Sequence, residues 1–202
     1  YYFLKNSFIT IKHKILKKIS KLGLVKDPTI IGYANSKGIE TKLITSTNNK
    51  KFIEYLKSLD LDIIINQSQS FLKKQLLEIP KIGVLNRHNA LLPKNRGRLT
   101  PFWVLFNNEN RTGVSIHFVE EFLDSGDIVI QKEFKVSKND NFNSLVNKNY
   151  KIASKAMIEA LNLLEKKDYS LIENDCKKAT YNTTPTLKEA LKYRFRKIKI
   201  FQ

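Results

Sequence analysis

One cysteine, three histidines and no long apolar run set the first limits on this 202-residue chain. Cys176 has no second thiol to pair with inside the chain, which fits a reducing, cytoplasmic setting. No stretch approaches the roughly 20 apolar residues that cross a bilayer, and no basic–apolar–small cleavage pattern marks a secretory signal. Acidic residues are scarce beside basic ones, 19 against 36, which leaves a net charge of +17. Such a charge attracts polyanions. Arginine, the better phosphate and groove reader, is sparse, and the lysines are spread along nearly every segment. That spread favours a lysine-rich composition over a dedicated nucleic-acid or anionic-membrane surface. Metal-ligand clusters, a Ser–His–Asp arrangement, internal repeats and low-complexity linkers are all missing.

What is present reads as one globular domain with a real core, 42% hydrophobic and 27% charged. Residues 1–26 form a basic amphipathic segment. Ile11, Ile15, Leu16, Ile19 and Leu22 share a helical stripe that Gly23 ends, with His13 and the lysines solvated. Such a helix also suits peripheral contact with an anionic membrane. Residues 27–135 form the core: a helix from Asp27-Pro28 to Gly38, a strand at 40–44, a helix from Asn48 or Asn49 to 58, and a strand at 61–65. A short helix at 72–78 and a strand at 82–85 follow, then a helix from Thr100-Pro101 and strands at 114–119 and 128–134. Residues 136–202 hold a long helix at about 142–165, with Leu145, Ile152, Ala156 and Leu163 inward. A last helix opens on the capping box Thr186-Leu187-Lys188-Glu189, and the tail is basic and aromatic. The alternation predicts an α/β fold with a mostly parallel sheet covered by helices on both faces.

Chemistry concentrates between residues 83 and 131. Asn86 and His88 are two apart, so on a strand or its extended exit they project to one face. That places an amide and an imidazole at the carboxyl edge of the sheet, where open α/β sheets hold ligands. Leu91-Leu92-Pro93 ends the extended run and Lys94-Asn95-Arg96-Gly97 makes a polar turn. Asp124, in the acidic turn 120–127, is placed to approach the same cleft. Each residue alone also fits an ordinary turn or strand end. His117, inside a strand, reads as a packed core or cross-strand residue, and Cys176 as structural.

The ordered series Asn-x-His, Leu-Leu-Pro-Lys, Arg-Gly, Thr-Gly-Val and Leu-Asp-Ser-Gly-Asp-Ile resembles the formyltransferase family. That family comprises methionyl-tRNA, glycinamide ribonucleotide and sugar N-formyltransferases. The resemblance implies a Rossmann-like fold and transfer of a formyl group from 10-formyltetrahydrofolate to a primary amine, with no metal. By the same matching Asn86, His88 and Asp124 are catalytic. The Asn86 amide and a protonated His88 would stabilise a tetrahedral oxyanion. His88 would move protons between the amine and the departing nitrogen, and Asp124 would hold it in place. The folate would lie against two loops, at Ser70, Phe71 and Leu72 and at Val119, Glu120, Glu121 and Leu123, mainly through backbone.

Arg96 and Arg98 are candidates for an acceptor phosphate or a solvated loop, and Phe102 and Trp103 for helix core bordering the cleft. Family members usually open with a strand and an acceptor-binding turn, which are expected ahead of Tyr1. The segment after residue 165 leaves no room for the C-terminal barrel of the tRNA enzyme. This short C-terminal segment favours an amino sugar nucleotide as the small-molecule acceptor. A tRNA acceptor, a deformylase sharing the same residues and a non-catalytic basic RNA- or membrane-binding protein are the alternatives, and a second copy in a homodimer is a candidate partner.

Overall fold

The structure, a computed structural model, describes residues 29–68 and 70–199, with side chains through Phe195. The lysine-rich helix with His13, the Asp27-Pro28 helix start and Ile200 at the tail lie outside the described residues. The chain divides into two compact units, Tyr1–Ser46 and Thr47–Gln202.

In the first unit the Thr29 hydroxyl caps α1 (Ile30–Ser36) by accepting from the Gly32 N–H at 3.1 Å. Gly38, at φ +69°, carries the chain out of the helix where a Cβ would be strained. The strand expected at residues 40–44 is not formed. That segment is exposed and carries no ladder, and a short apolar run becomes a strand only when a neighbour pairs with it.

In the second unit Asn49 caps α2 (Lys50–Lys57), accepting from the Lys51 and Phe52 N–H groups. β1 (Ile63–Asn66), α3 (Lys74–Leu77) and β2 (Gly83–His88) follow, and β1 and β2 pair in parallel. The chain continues through β3 (Arg96–Gly97), α4 (Thr100–Phe106), β4 (Arg111–Phe118) and β5 (Ile128–Lys135). After these come α5 (Phe142–Lys166), a 3-10 turn (Cys176–Lys178), β6 (Tyr181–Asn182) and α6 (Leu187–Lys199). The strand order is β1-β2-β4-β5, with β2–β4 and β4–β5 antiparallel. Three strands therefore point one way and β4 alone runs back, which is the mixed, mostly parallel sheet expected. β3 and β6 make a separate two-stranded parallel pair.

Period-two alternation along β2 sorts the two faces. Leu85 joins Val114, Ile116, Val129, Ile130 and the α5 residues Ala153, Ala156, Ala160 and Leu164 in one core. The three alanines let α5 lie close to the sheet, and the reciprocal Asn141–Ser144 capping box starts that helix. Val84 instead packs with Leu72 and Leu76, against Phe52, Leu56, Ile64 and Val119. Helices thus cover both faces. Each large aliphatic side chain so buried contributes about 1.5–3 kcal/mol. Thr186 and Glu189 make the expected box at α6.

Candidate active site

β2 runs three residues further than the pattern suggested, so Asn86 and His88 are strand residues on the Val84 face. The antiparallel register sets Asn86 opposite His117 and His88 opposite Ser115 on β4. Four polar side chains therefore meet on one patch of an otherwise apolar sheet. Ser115 secures the chain beyond His88: its hydroxyl donates to the Ala90 carbonyl at 2.7 Å and accepts from the Leu92 N–H and the Gln131 amide.

His88 is buried and held from both ends. Its Nε2–H donates to the Asn95 carbonyl at 2.7 Å, while Nδ1 lies 3.5 Å from Asp124 Oδ2. A carbonyl can only accept, so Nε2 keeps its proton and Nδ1 is the nitrogen free to exchange one. Asn95 is itself fixed: its side-chain amide donates to both Glu109 carboxylate oxygens and accepts from Asn182 Nδ2, and its N–H donates to the Thr180 hydroxyl. The Asp124 carboxylate accepts from the Gly97 N–H at 2.8 Å. Its backbone is left-handed, at φ +48°.

His117, 1% exposed, is the functional-looking residue that sequence reasoning undervalued. It is the cross-strand residue anticipated, yet its Nε2 also sits 3.7 Å from Asp124 Oδ1 and 3.4 Å from Asn86 Nδ2. Burial first, then the His88 charge, push its pKa down to about 4 against the opposing pull of Asp124. The ring is thus neutral at pH 7 and makes no ion pair with Asp124. Nδ1–H donates to the Phe118 carbonyl at 2.7 Å, which leaves Nε2 bare to accept from the Asn86 amide. The signal available in the sequence was Ser115 and His117, two polar residues at period two in an apolar strand.

The polar turn drawn around Arg96 needs correcting. Arg96 is wholly buried and cannot meet an acceptor phosphate, because its guanidinium is enclosed by the 174–181 segment. Arg98 is exposed. Trp103 is buried with its indole N–H on the Thr183 carbonyl, and Phe102 meets its ring edge to face. Among the loop residues expected to hold a folate, Leu72 is buried and Val119 half-buried in the same small core, and the Val119 N–H donates to the Val84 carbonyl. That shared core anchors both loops at one face of the sheet. Ser70, Phe71, Glu120, Glu121 and Leu123 are exposed. Two surface grooves flank α5, and none of the expected site residues lines either. Among the described residues no three His, Cys, Asp or Glu side chains are grouped to hold a metal ion, and no helix is long and apolar enough to cross a membrane.

An α/β sheet that sets the Asn86 amide 3.4 Å from His117 and the Asp124 carboxylate 3.5 Å from His88 on one patch has the layout of a formyltransferase-type domain. The Formyl transferase family profile matches residues 19–161, well over half of the chain, and the chain belongs to that family. It is 38% identical over 118 residues to the methionyl-tRNA formyltransferase of Clostridioides difficile (strain 630), covering 58% of this chain and 38% of that protein. It is 33% identical over 189 residues to that of Prochlorococcus marinus (strain MIT 9312), covering 88% of this chain and 55% of the relative. The chain thus spans about half the length, or less, of these curated relatives. Among solved structures, the formyltransferase PseJ from Anoxybacillus kamchatkensis, in complex with UDP-4,6-dideoxy-4-formamido-L-AltNAc and tetrahydrofolate, superposes with TM-score 0.63. It is 23% identical, with 83% of this chain and 87% of that one covered. The N-formyltransferase from Helicobacter canadensis gives 0.61 at 19% identity over 77% and 54% of the two chains.

Proposed function

We propose that this chain carries the catalytic site for transfer of a formyl group from 10-formyltetrahydrofolate to a primary amine, with Asn86, His88 and Asp124 performing the chemistry. The observation that carries the reading is the His88–Asp124 pair, 3.5 Å apart and held by two backbone groups of the short 95–97 segment, beside a half-buried asparagine amide. The bound folate supplies the formyl group. The residues fit it: Leu72 and Val119 are anchored in one small core, so the backbone beside them and the exposed Phe71, Glu120, Glu121 and Leu123 remain for contact.

Within the site the roles follow from which atoms are already engaged. One Asn86 N–H is taken by His117 Nε2, which turns the amide nitrogen inward and leaves the second N–H to meet negative charge developing on a formyl oxygen. His88 Nδ1 exchanges the proton that the attacking amine loses and the departing nitrogen gains. Asp124, fixed by the Gly97 N–H, faces His88 Nδ1 and holds the ring in place.

For the acceptor, identities of 33% and 38% to methionyl-tRNA formyltransferases support methionyl-tRNA, and the net charge of +17 suits a polyanion. The amino sugar nucleotide favoured on sequence grounds is the competing acceptor. The test incubates the chain with 10-formyltetrahydrofolate and each acceptor, following tetrahydrofolate release and the formyl adduct by mass spectrometry. His88→Ala and Asp124→Asn are expected to lower transfer by about a hundredfold or more while circular dichroism is unchanged. Undiminished turnover in either variant overturns the reading, and the acceptor that gains mass identifies the substrate.

A further inference from the structure

Three consecutive residues, Asn95, Arg96 and Gly97, hold the same His–Asp pair, and only two of them touch it. The Asn95 carbonyl accepts from His88 and the Gly97 N–H donates to Asp124. Arg96, between them, points away into the protein and is fully buried. Its Nη2 donates to the Asn174 carbonyl at 3.0 Å and to Asn174 Oδ1 at 2.8 Å. Its Nη1 donates to the Tyr181 hydroxyl at 3.0 Å and approaches Cys176 Sγ at 3.5 Å, and the guanidinium lies 5.6 Å from the centre of the Tyr181 ring. None of these partners is a carboxylate, and Arg96 Nε makes no hydrogen bond among the described residues. Taking a cation out of water is expensive, and neutral acceptors offset it only in part.

What the buried cation secures is the orientation of one amide. With Oδ1 of Asn174 held by Arg96, its Nδ2 faces the catalytic turn and donates to the Asp124 carbonyl at 2.8 Å and the Gly126 carbonyl at 2.9 Å. These two bonds pin the backbone on either side of Ser125, at a turn where Asp124 sits in the sparsely populated left-handed region. We propose that Arg96 is a positioning residue: through Asn174 it fixes the turn bearing Asp124 and so sets that carboxylate against the Gly97 N–H and His88 Nδ1. The catalytic consequence rests on the formyl-transfer reading above, whereas the geometric one does not.

The test uses two variants of the full chain. Arg96→Met removes the charge and keeps most of the volume. Asn174→Ala cuts the relay and leaves the Arg96 contacts with Tyr181 in place. Amide hydrogen exchange followed by NMR reads the geometry directly. Loss of a charge-assisted buried hydrogen bond is expected to speed exchange at Gly97 by about tenfold or more in both variants. The Arg98 amide, which donates to the Asn182 carbonyl, should keep its protection if the β3–β6 pair survives. Unchanged protection at Gly97 in Asn174→Ala overturns the proposal, as does equal loss at Gly97 and Arg98.

With transfer active, kcat is expected to fall about tenfold in both variants while KM for the folate moves less than about threefold. In an Asp124→Asn background, where the carboxylate no longer matters, Asn174→Ala should have no further effect. Additive losses in that double variant would mark a merely structural role and overturn the proposal. If Asp124→Asn alone leaves turnover unchanged, the formyl-transfer reading has failed, and the exchange result still decides the positioning of the turn.

Discussion

Burial and the neighbouring His88 charge hold the His117 pKa near 4, from an ordinary value of 6.5, and this depression ties stability to pH. Between those values the unfolded chain binds a proton that the folded one refuses. The stabilisation is complete above about pH 6.5 and is lost as pH falls through 4. A full shift of this size corresponds to about 3 kcal/mol. For Asp140, burial alone would raise the pKa. The Lys148 ammonium, the Ser137 N–H and the Ser144 hydroxyl outweigh it and bring the carboxyl to about 2. Its contribution is present above 3.8 and lost between 3.8 and 2, so the two losses are sequential. Urea midpoints are therefore expected to fall between pH 7 and 4.5 in the parent and to flatten over that range in His117→Gln. An equal slope in that variant would assign the pH dependence to another group.

Among the elements, the two-residue pair of β3 and β6 carries more of the site than its length suggests. Gly97 has φ +100°, and a Cβ there would collide with the Asn182 carbonyl oxygen across the pair. The same residue gives its N–H to Asp124. Gly97→Ala should therefore separate β3 from β6 and release the carboxylate in one step. We expect a stability loss of about 1–3 kcal/mol together with a drop in kcat, read by thermal melting and by tetrahydrofolate release. A variant that melts lower but turns over normally would show that Asp124 does not depend on this contact. The α5 helix, by contrast, was legible from its apolar spacing: Leu145 and Ala156 are buried as expected, with Ile152 and Leu163 at the margin. The strand expected at residues 40–44 failed because periodicity carries no information about whether a pairing partner exists.

At the scale of the whole molecule, a charge of +17 on 202 residues is a statement about partners rather than about fold. Binding that neutralises about six phosphates weakens by roughly a thousandfold between about 50 and 200 mM salt, whereas an acceptor with two phosphates weakens far less. If methionyl-tRNA is the acceptor, its KM should climb steeply over that range while KM for an amino sugar nucleotide, if it turns over at all, stays nearly flat. A flat profile with tRNA would attribute the lysines to composition alone. Arg96, in contrast, illustrates how a charge counted as surface can lie inside.

The sequence by itself determined most of the alternation of helix and strand, the two-faced sheet and the candidacy of Asn86, His88 and Asp124, because period and local motif are short-range properties. Only the tertiary structure decided that His117 stands beside Asp124 and that Arg96 is buried beneath the turn bearing Asp124. The reason is physical: His117 meets Asn86 through a strand register spanning 31 residues, and Arg96 finds Asn174 and Tyr181 at separations of 78 and 85. Contacts at such distances are fixed by how whole elements pack, and no local pattern in the chain encodes them.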